Sequence, residues 1–321
     1  MKKHITHLVF SGNALRSLCL CGVLRYLYCY NLHTHIRDVA GTSMGALFCF
    51  AFALKIPIEE LESLLYDICK NPKLTKFDTS AFINIINTYG LTSSLDYLEL
   101  FRKYLQKKYN QDDITFLELS KKTGVNLYVS TTCIDKCENF IFNVNDTPNV
   151  SVIETIAASM CIPILSKPIK IGDNYYIDGC FTNNFPYEIF IENNVNKDNI
   201  LGIGVVDFTN NIDNKNKELS ASNYVYNLLY LAYLNTYKYC FTDKIESYPN
   251  FLIIKDSPIK SLFEPTIEEN FIDVSLSDDE INNLILQGFK SMNDYMNDSN
   301  DNSNDNSNDN SNDNSNDDLK N

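Results

Sequence analysis

Five consecutive residues, Gly41-Thr42-Ser43-Met44-Gly45, fit the pattern Gly-x-Ser-x-Gly, in which the serine hydroxyl can serve as a nucleophile. Residues 37–40 before them read as a short buried strand, and the apolar residues 44–54 read as a helix. A sharp turn between the two would hold the Ser43 side chain in a strained position above the free N–H groups of the helix. Residues two places away on either side must be small, and both are glycine. The segment therefore predicts a nucleophile elbow, from which Ser43 would attack a carbonyl carbon to form an acyl-enzyme.

The chain has four histidines, and all of them precede Ser43: His4, His7, His33 and His35. In α/β-hydrolases the order along the chain is serine, acid and then histidine, because a late loop carries the base. That class is therefore excluded, and the base for Ser43 is expected to be a carboxylate or a lysine. We interpret the histidines as surface or structural groups.

The acidic charge of the chain is concentrated at its C-terminus. The net charge is −14 over 321 residues, and residues 298–321 contribute −6 of it through seven Asp and one Lys. Residues 1–297 carry the other −8 and contain no basic stripe that could neutralise phosphates. This argues against nucleic acid as a main partner. Any contact with a membrane has to come from apolar surface rather than from attraction to anionic lipids.

The cysteines and the apolar runs indicate the compartment. Ten cysteines are scattered without the framework of a disulfide-rich domain. The first residues lack the apolar stretch of a signal peptide, and the longest apolar run, 44–54, is too short to span a membrane. Cys133 and Cys137 have no second matching pair, so we expect neither a metal nor a cofactor. The predicted chain is reduced, intracellular and cytoplasmic, with no transmembrane segment.

Strands and helices alternate along the chain, which predicts an α/β fold with a mostly parallel central sheet. The predicted strands are 7–11, 37–40, 126–132, 138–143, 169–171, 175–177, 200–206 and 251–254. The predicted helices are 15–30, 44–54, 58–69, 80–89, 94–109, 115–122, 150–159 and 220–243. Residues 48–54 and 224–233 are apolar enough to line an acyl channel, although such runs more often belong to the core. The tail 296–321 repeats Asn, Asp and Ser and is expected to be disordered.

Three separated segments line up in this predicted fold: 11–17 after the first strand, the elbow, and 177–186 at the exit of a hairpin. In this order and context they resemble the patatin-like phospholipase family, and the similarity extends from about Leu8 to Pro186. The resemblance implies a three-layer α/β domain whose catalytic core is 7–190, with 191–295 as a further part of the same globular domain. It also implies a Ser–Asp dyad without histidine, with Ser43 as the nucleophile and Asp178 as the base.

Asp178 needs a particular environment to act as a base. The unperturbed pKa of an aspartate is ~3.9, so at neutral pH it accepts a proton poorly. Burial beside an uncharged hydroxyl would raise that pKa and strengthen the base. Taken alone, Asp178-Gly179 also fits an ordinary turn after a hairpin. Cys180 departs mildly from the family, which usually has Ala or Gly after Asp-Gly.

The first segment departs further from the family, whose pattern there is Gly-Gly-Gly-x-Arg-Gly. Gly12 and Arg16 match, whereas Asn13, Ala14 and Ser17 stand where glycines are usual. This segment is the expected oxyanion loop, whose N–H groups would donate to the substrate oxygen. We expect backbone donation from Asn13 and Ala14, and the alternative is donation from the Asn13 side chain. Arg16 has either a structural role near the loop or that of a solvated helix residue.

The resemblance and the elbow together imply a lipid acyl hydrolase of the phospholipase A or lysophospholipase type, a serine esterase that cleaves carboxylic esters. The expected partner is a lipid ester, met at a membrane surface by a chain peripheral to the membrane. The altered glycines leave a second reading open, a catalytically weak or inactive patatin-like protein with a lipid-binding or regulatory role. A third reading, a serine peptidase or an acyltransferase, shares the elbow but predicts another substrate.

Overall fold

The computed structural model describes residues 4–78, 85–206, 221–241, 248–255, 266–268 and 271–308. The strands are β1 (His7–Phe10), β2 (Asp38–Thr42), β3 (Lys76–Asp78), β4 (Gly90–Thr92), β5 (Asn126–Cys133), β6 (Glu138–Phe142), β7 (Ile164–Ser166), β8 (Ile169–Ile171), β9 (Asn174–Asp178), β10 (Ile200–Val205), β11 (Phe251–Ile254), β12 (Thr266–Glu268) and β13 (Phe271–Asp273). The helices are α1 (Cys19–Cys29), α2 (Met44–Ala53), α3 (Ile58–Lys70), α4 (Pro72–Thr75), α5 (Ile85–Thr88), α6 (Leu95–Tyr109), α7 (Phe116–Thr123), α8 (Val152–Ser159), α9 (Glu188–Glu192), α10 (Ala221–Phe241) and α11 (Asp278–Asn308). Short 3-10 helices, Ala14–Leu18 and Gly179–Phe181, precede α1 and follow β9.

The central sheet has eight strands, in the order β11-β10-β1-β2-β5-β9-β8, with β6 also paired to β5. The five strands from β11 to β5 are parallel to one another. Strands β6, β8 and β9 join by antiparallel pairing. The mostly parallel sheet predicted from the alternation of elements is therefore confirmed.

The register of the sheet brings the ends of β2 and β9 together. Thr42, the last residue of β2, pairs with Ser130 of β5, and the next residue, Thr131, pairs with Asp178 at the end of β9. Strand β6 occupies the other edge of β5 over this stretch. Strand β9 therefore pairs with β5 along the same edge, beginning where β2 ends. This places Asp178 beside the turn that follows β2.

Alternating side chains of the strands fill two cores, one on each face of the sheet. On β1, Leu8 and Phe10 belong to the larger core, and Val9 belongs to the smaller one. The larger core encloses α2, which is buried on all sides. The smaller core is mainly aromatic and includes Phe185, Tyr187, Phe190, Tyr237 and Phe241. These packed faces give the three layers that were expected.

Helix α11 was not predicted from the sequence. It also overlaps the tail, which was expected to be disordered from residue 296 onward. The helix continues to Asn308, through the first part of the segment 296–321 that was expected to be disordered. Its deeply buried apolar residues are Ile281, Leu284, Ile285 and Met292. Their helical spacing carries the pattern, but the Asn and Asp residues that precede and follow this stretch conceal it. Residues 309–321 lie outside the described residues, so their disorder stays a prediction.

Helix α11 packs on α1 at very short range because two glycines lie at the contact. A side chain on Gly22 of α1 would collide with the backbone of Ile285, and one on Gly288 of α11 would collide with the backbone of Cys19. The two helices therefore touch backbone to backbone. Since α1 directly follows the 3-10 helix Ala14–Leu18, α11 supports the segment expected to form the oxyanion loop.

Other differences from the predicted elements concern short segments. The predicted helix 15–30 begins as a 3-10 helix before α1. Strands β3, β4, β7, β12 and β13 have three residues each, too few for a recognisable alternation. Residues 80–84 of the predicted helix 80–89 lie outside the described residues, as do both ends of the predicted helix 220–243. Within the described parts of the chain, no helix has both the length and the apolar composition needed to cross a bilayer.

Candidate active site

Ser43 occupies the sharp turn between β2 and α2. Its φ of 54° and ψ of −128° lie in a region that residues other than glycine rarely adopt. A Cβ on Gly45 would lie 2.5 Å from the Ser11 carbonyl oxygen, so the close approach of α2 to the first loop requires glycine. Ser43 N–H donates to Ser159 Oγ at 2.8 Å, and the Ser159 hydroxyl donates to the Ser130 carbonyl oxygen at 2.7 Å. These contacts hold the strained turn in place.

The other residues of the elbow support this turn. A Cβ on Gly41 would lie 2.6 Å from the carbonyl carbon of Gly45, so β2 and the first turn of α2 also approach closely. The Thr42 hydroxyl donates to the Asn183 carbonyl oxygen at 2.9 Å. Met44 begins α2 and lines the pocket beside Ser43.

The Ser43 hydroxyl donates a hydrogen bond to Asp178 Oδ2 at 2.7 Å. Asp178 is only 1% exposed, and its other oxygen, Oδ1, accepts from Cys180 N–H at 2.9 Å. Burial raises the pKa of Asp178 to about 6, although the hydrogen bonds from Cys180 and Ser43 lower it. The carboxylate is therefore a stronger base than an ordinary aspartate and is still mainly ionised at neutral pH.

The corner that carries Asp178 is fixed by its backbone. Asp178 N–H donates to the Cys161 carbonyl oxygen at 2.9 Å, and the Asp178 carbonyl oxygen accepts from Thr132 Oγ1 at 2.9 Å. A Cβ on Gly179 would lie 2.5 Å from the Ser130 carbonyl oxygen, which explains the glycine after the aspartate. Cys180 is buried, and burial together with Asp178 raises the pKa of its thiol well above the ordinary value. That thiol therefore stays protonated and does not compete with Ser43.

The first loop is held against the elbow by Asn184. Its side-chain Oδ1 accepts from Gly12 N–H at 3.2 Å, and its Nδ2 donates to the Gly12 carbonyl oxygen at 3.0 Å. A Cβ on Gly12 would lie 2.7 Å from the Ser43 Cβ. The loop thus passes directly over the serine, with one side-chain amide taking both polar groups of Gly12.

Two kinds of oxyanion donor were considered for Asn13, its backbone N–H and its side-chain amide, and each of them makes a hydrogen bond within the protein. Its N–H donates to Ser17 Oγ at 2.9 Å, and its Nδ2 donates to the Val205 carbonyl oxygen at 3.2 Å. Ser17 stands where the family has glycine, and it supplies the hydroxyl that engages this N–H. In this conformation Asn13 ties the loop to the 3-10 helix and to β10, and its backbone N–H and one of its two side-chain N–H groups are engaged within the protein.

Ala14 and Arg16 both lie in the 3-10 helix Ala14–Leu18 that follows. Ala14 has a φ of 43°, in the left-handed region, and lines the pocket beside Ser43. Arg16 is 4% exposed, which rules out the solvated helix residue and leaves the structural role.

A small apolar pocket opens beside Ser43. Its volume is about 60 Å³, enough for only a short part of an acyl chain. The residues that line it include Leu15, Met44, Ile68, Leu74, Met160, Ile162 and Val274. Among the described side chains of the two runs expected to form a channel, none lines this pocket: those of 48–54 lie in the larger core, and Tyr224 and Leu228 are exposed.

Two residues in direct contact with this site, Ser159 and Asn184, are missing from the residues singled out in the sequence. Both lie in segments that carry the family resemblance, yet nothing in their local pattern indicates a role. Ser159 closes helix α8, and Asn184 follows another asparagine in a loop. Their partners are 116 and 172 residues away along the chain, so only the fold brings the pairs together.

We expect Asn184→Ala to lower kcat for a short-chain ester by about 10²-fold, because Gly12 loses both of its side-chain partners and the loop shifts over Ser43. KM should change much less, since the apolar pocket is untouched. Steady-state kinetics at one pH measure both constants. The matched control is Asn193→Ala, an exposed asparagine at the end of α9. A folded Asn184→Ala protein with the kcat of the parent would contradict a positioning role for this side chain.

Comparison with known proteins identifies a matching family and two viral relatives. The family model for patatin-like phospholipases matches residues 8–191. The chain is 34% identical over 202 residues to a probable lipid hydrolase of Invertebrate iridescent virus 6, covering 59% of this chain and 64% of that protein. It is 21% identical over 213 residues to an uncharacterized protein of Acanthamoeba polyphaga mimivirus, covering 66% of this chain and 69% of that protein. The chain thus spans just under two thirds of the length of the first of these relatives.

A solved structure shares the fold. VipD from Legionella pneumophila superposes with a TM-score of 0.56 at 13% sequence identity, covering 92% of this chain and 67% of that one. At this level of identity the likeness concerns the fold alone.

Proposed function

The chain belongs to the patatin-like phospholipase family, and on that premise we propose that it is a lipid acyl hydrolase of the phospholipase A or lysophospholipase type. Ser43 is the nucleophile and Asp178 is the base in this proposal. The observation that carries it is the 2.7 Å hydrogen bond from the Ser43 hydroxyl to the buried carboxylate. The name of the viral relative, a probable lipid hydrolase, supports the same class of reaction.

Acylation uses the pair directly. Ser43 Oγ forms a bond to the ester carbonyl carbon while its proton passes to Asp178 Oδ2. The tetrahedral intermediate then breaks its bond to the alcohol oxygen, and Asp178 returns the proton to the departing alcohol. The raised pKa of Asp178, about 6, suits both transfers, because a group accepts and releases a proton best when its pKa is near the working pH.

Deacylation repeats these steps with water in place of the serine. Asp178 takes a proton from the attacking water, the tetrahedral intermediate expels Ser43 Oγ, and the proton is returned to that oxygen. The products are a free carboxylic acid and the regenerated enzyme. No further protein base is required.

The developing negative charge on the carbonyl oxygen needs donors, and two helix beginnings supply them. Ala14 and Met44 are the first residues of the 3-10 helix and of α2, so their N–H groups have no acceptor within those helices. Both residues line the pocket beside Ser43. Their N–H groups, rather than those of Asn13, are the donors we assign to the oxyanion.

A second function, that of a catalytically weak protein which binds or regulates lipids, is favoured by one observation. Asn13 N–H is engaged by Ser17 Oγ and so is lost as an oxyanion donor. The loss of one such donor typically lowers kcat by about 10²–10³-fold. The pocket would then still take up an acyl chain but would turn it over slowly.

Covalent labelling separates the two functions. A fluorophosphonate should modify Ser43 alone, because the probe needs a serine that can pass its proton to a neighbouring base. Intact mass and peptide mapping identify the adduct, and Ser43→Ala is the control that should stay unlabelled. Absence of an adduct, under conditions that fully label a known serine hydrolase, would favour the second function.

A further inference from the structure

Helix α10 carries an exposed apolar stripe along one face. Its members are Tyr224, Leu228, Leu231 and Tyr239, each about half exposed, at 53%, 48%, 56% and 53%. The spacing of four, three and eight residues places all of them on the same side of the helix. We call this face the α10 stripe. The opposite side of the helix is buried against the smaller core.

The inward side of α10 anchors the helix close to the catalytic corner. Thr236 Oγ1 donates to the Phe181 carbonyl oxygen at 3.1 Å, and Phe181 ends the 3-10 helix that begins next to Asp178. The Phe241 ring lies 5.4 Å from Phe185 and 5.0 Å from Tyr237. The outward stripe therefore lies on a helix that is attached next to the Asp178 corner.

The charge of α10 contrasts with that of the rest of the chain. The full chain has a net charge of −14, yet residues 221–241 contain no acidic residue and one base, Lys238. Tyrosine and leucine are the residues that favour the boundary between water and a bilayer, where the ring lies among apolar groups and the hydroxyl stays hydrated. This face therefore carries no acidic residue, and the ammonium group of Lys238 can stay among the polar lipid headgroups.

We propose that the α10 stripe docks the protein on the surface of a zwitterionic lipid bilayer, an inference that rests on the proposed function because a lipid hydrolase has to reach aggregated substrate. The area of the stripe fits this partner better than a second copy of the chain. Two Tyr and two Leu side chains, each half exposed, offer roughly 400 Å², against about 800 Å² per partner in a standard protein interface. A bilayer requires only shallow insertion of such side chains.

The test compares two double variants that carry the same change in charge. Leu228→Glu/Leu231→Glu alters the stripe, and Ile134→Glu/Leu286→Glu alters two exposed apolar residues elsewhere. Binding is measured by co-sedimentation with phosphatidylcholine vesicles in a Ser43→Ala background, so that the vesicles stay intact and turnover plays no part. We expect the stripe variant to lower the partition coefficient by about tenfold or more, and the control variant to change it by less than about twofold.

Equal losses in the two variants, or no vesicle binding by the parent protein, would overturn the docking surface. Light scattering after gel filtration detects the competing occupant: a dimer that only the stripe variant dissociates would assign the face to a second copy. Melting temperatures establish that each variant is folded, and Leu228→Ser/Leu231→Ser replaces the Glu pair if it is not. If the Ser43→Ala protein binds vesicles but the unmodified chain hydrolyses no short-chain ester, the proposed function is refuted while the docking surface stays in place.

Discussion

Alanine in place of Ser43 should lower kcat for a short-chain ester by roughly 10⁴-fold or more, with little change in melting temperature. The proposed acyl-enzyme cannot form without the hydroxyl, so only background stabilisation by the pocket and its donors remains. The fold should tolerate the change, because alanine fits the same strained turn and Asp178 keeps its hydrogen bond from Cys180 N–H. Steady-state kinetics and thermal unfolding measure the two effects.

A matched control for this variant is Ser94→Ala, which removes another buried serine, one outside the site. Its kcat should stay within a few-fold of the parent value. Substantial turnover by folded Ser43→Ala, once contaminating esterases have been excluded by a second purification, would remove the nucleophile from the mechanism.

Asn in place of Asp178 should lower kcat by about 10³-fold or more, because an amide of nearly the same volume cannot take the Ser43 proton.

The pH dependence of kcat in the unmodified protein tests the same base. A base must be ionised to work, and burial raises the pKa of Asp178 to about 6. The rate should therefore be constant above this pH and fall tenfold per unit as the pH drops below it. The residual rate of Asp178→Asn should lack that step.

Two controls test the assignment of the base. Asp173→Asn changes an aspartate in the turn of the same hairpin, between β8 and β9, and should keep both the rate and the pH profile. Replacing all four histidines by Gln should also leave the chemistry in place, since every one precedes Ser43 in the chain and none contacts the Ser43–Asp178 pair. A folded protein that loses activity through the histidine changes as fully as through Asp178→Asn would show that the base is misassigned.

The residues of the proposed catalytic pair could be singled out in the sequence because their indicators are local. The elbow requires glycines two residues from Ser43 and a strand followed by a helix, all within about 15 residues. Asp178 stands next to Gly179 at the end of a predictable hairpin. What the sequence leaves open is the contact between them, which depends on β9 taking over the edge of β5 where β2 ends.

The oxyanion loop shows where local reasoning stops. Comparison with the family pattern identifies Asn13 as a departure, but the fate of its N–H depends on the Ser17 hydroxyl four residues later. The fate of its side chain depends on Val205, 192 residues away. Donor types can be read from a sequence, whereas the choice among acceptors is made by the folded packing.

Helix α11 was missed for a different reason. Its polar residues are mainly Asn and Asp, which disfavour helices in isolation, and only tertiary burial of a few apolar residues outweighs that preference. The same composition made residues from 296 onward look uniformly unstructured. Propensity and pattern disagree here, and contacts with α1 decide the outcome.

The backbone contacts of Gly22 with Ile285 and of Gly288 with Cys19 have a consequence for the order of events during synthesis. Helix α1 ends at Cys29 and the helix that covers it begins at Asp278, so α1 leaves the ribosome long before α11 does. Strand β1 likewise cannot pair along one of its two edges until β10 has been synthesised. We propose that 191–295 therefore belong to the same folding unit as the segment matched by the family model. The nascent chain would carry Ser43 and Asp178 before the elements that complete the sheet and cover α1 have emerged, so the pair would reach its final packing only after α11 has been synthesised.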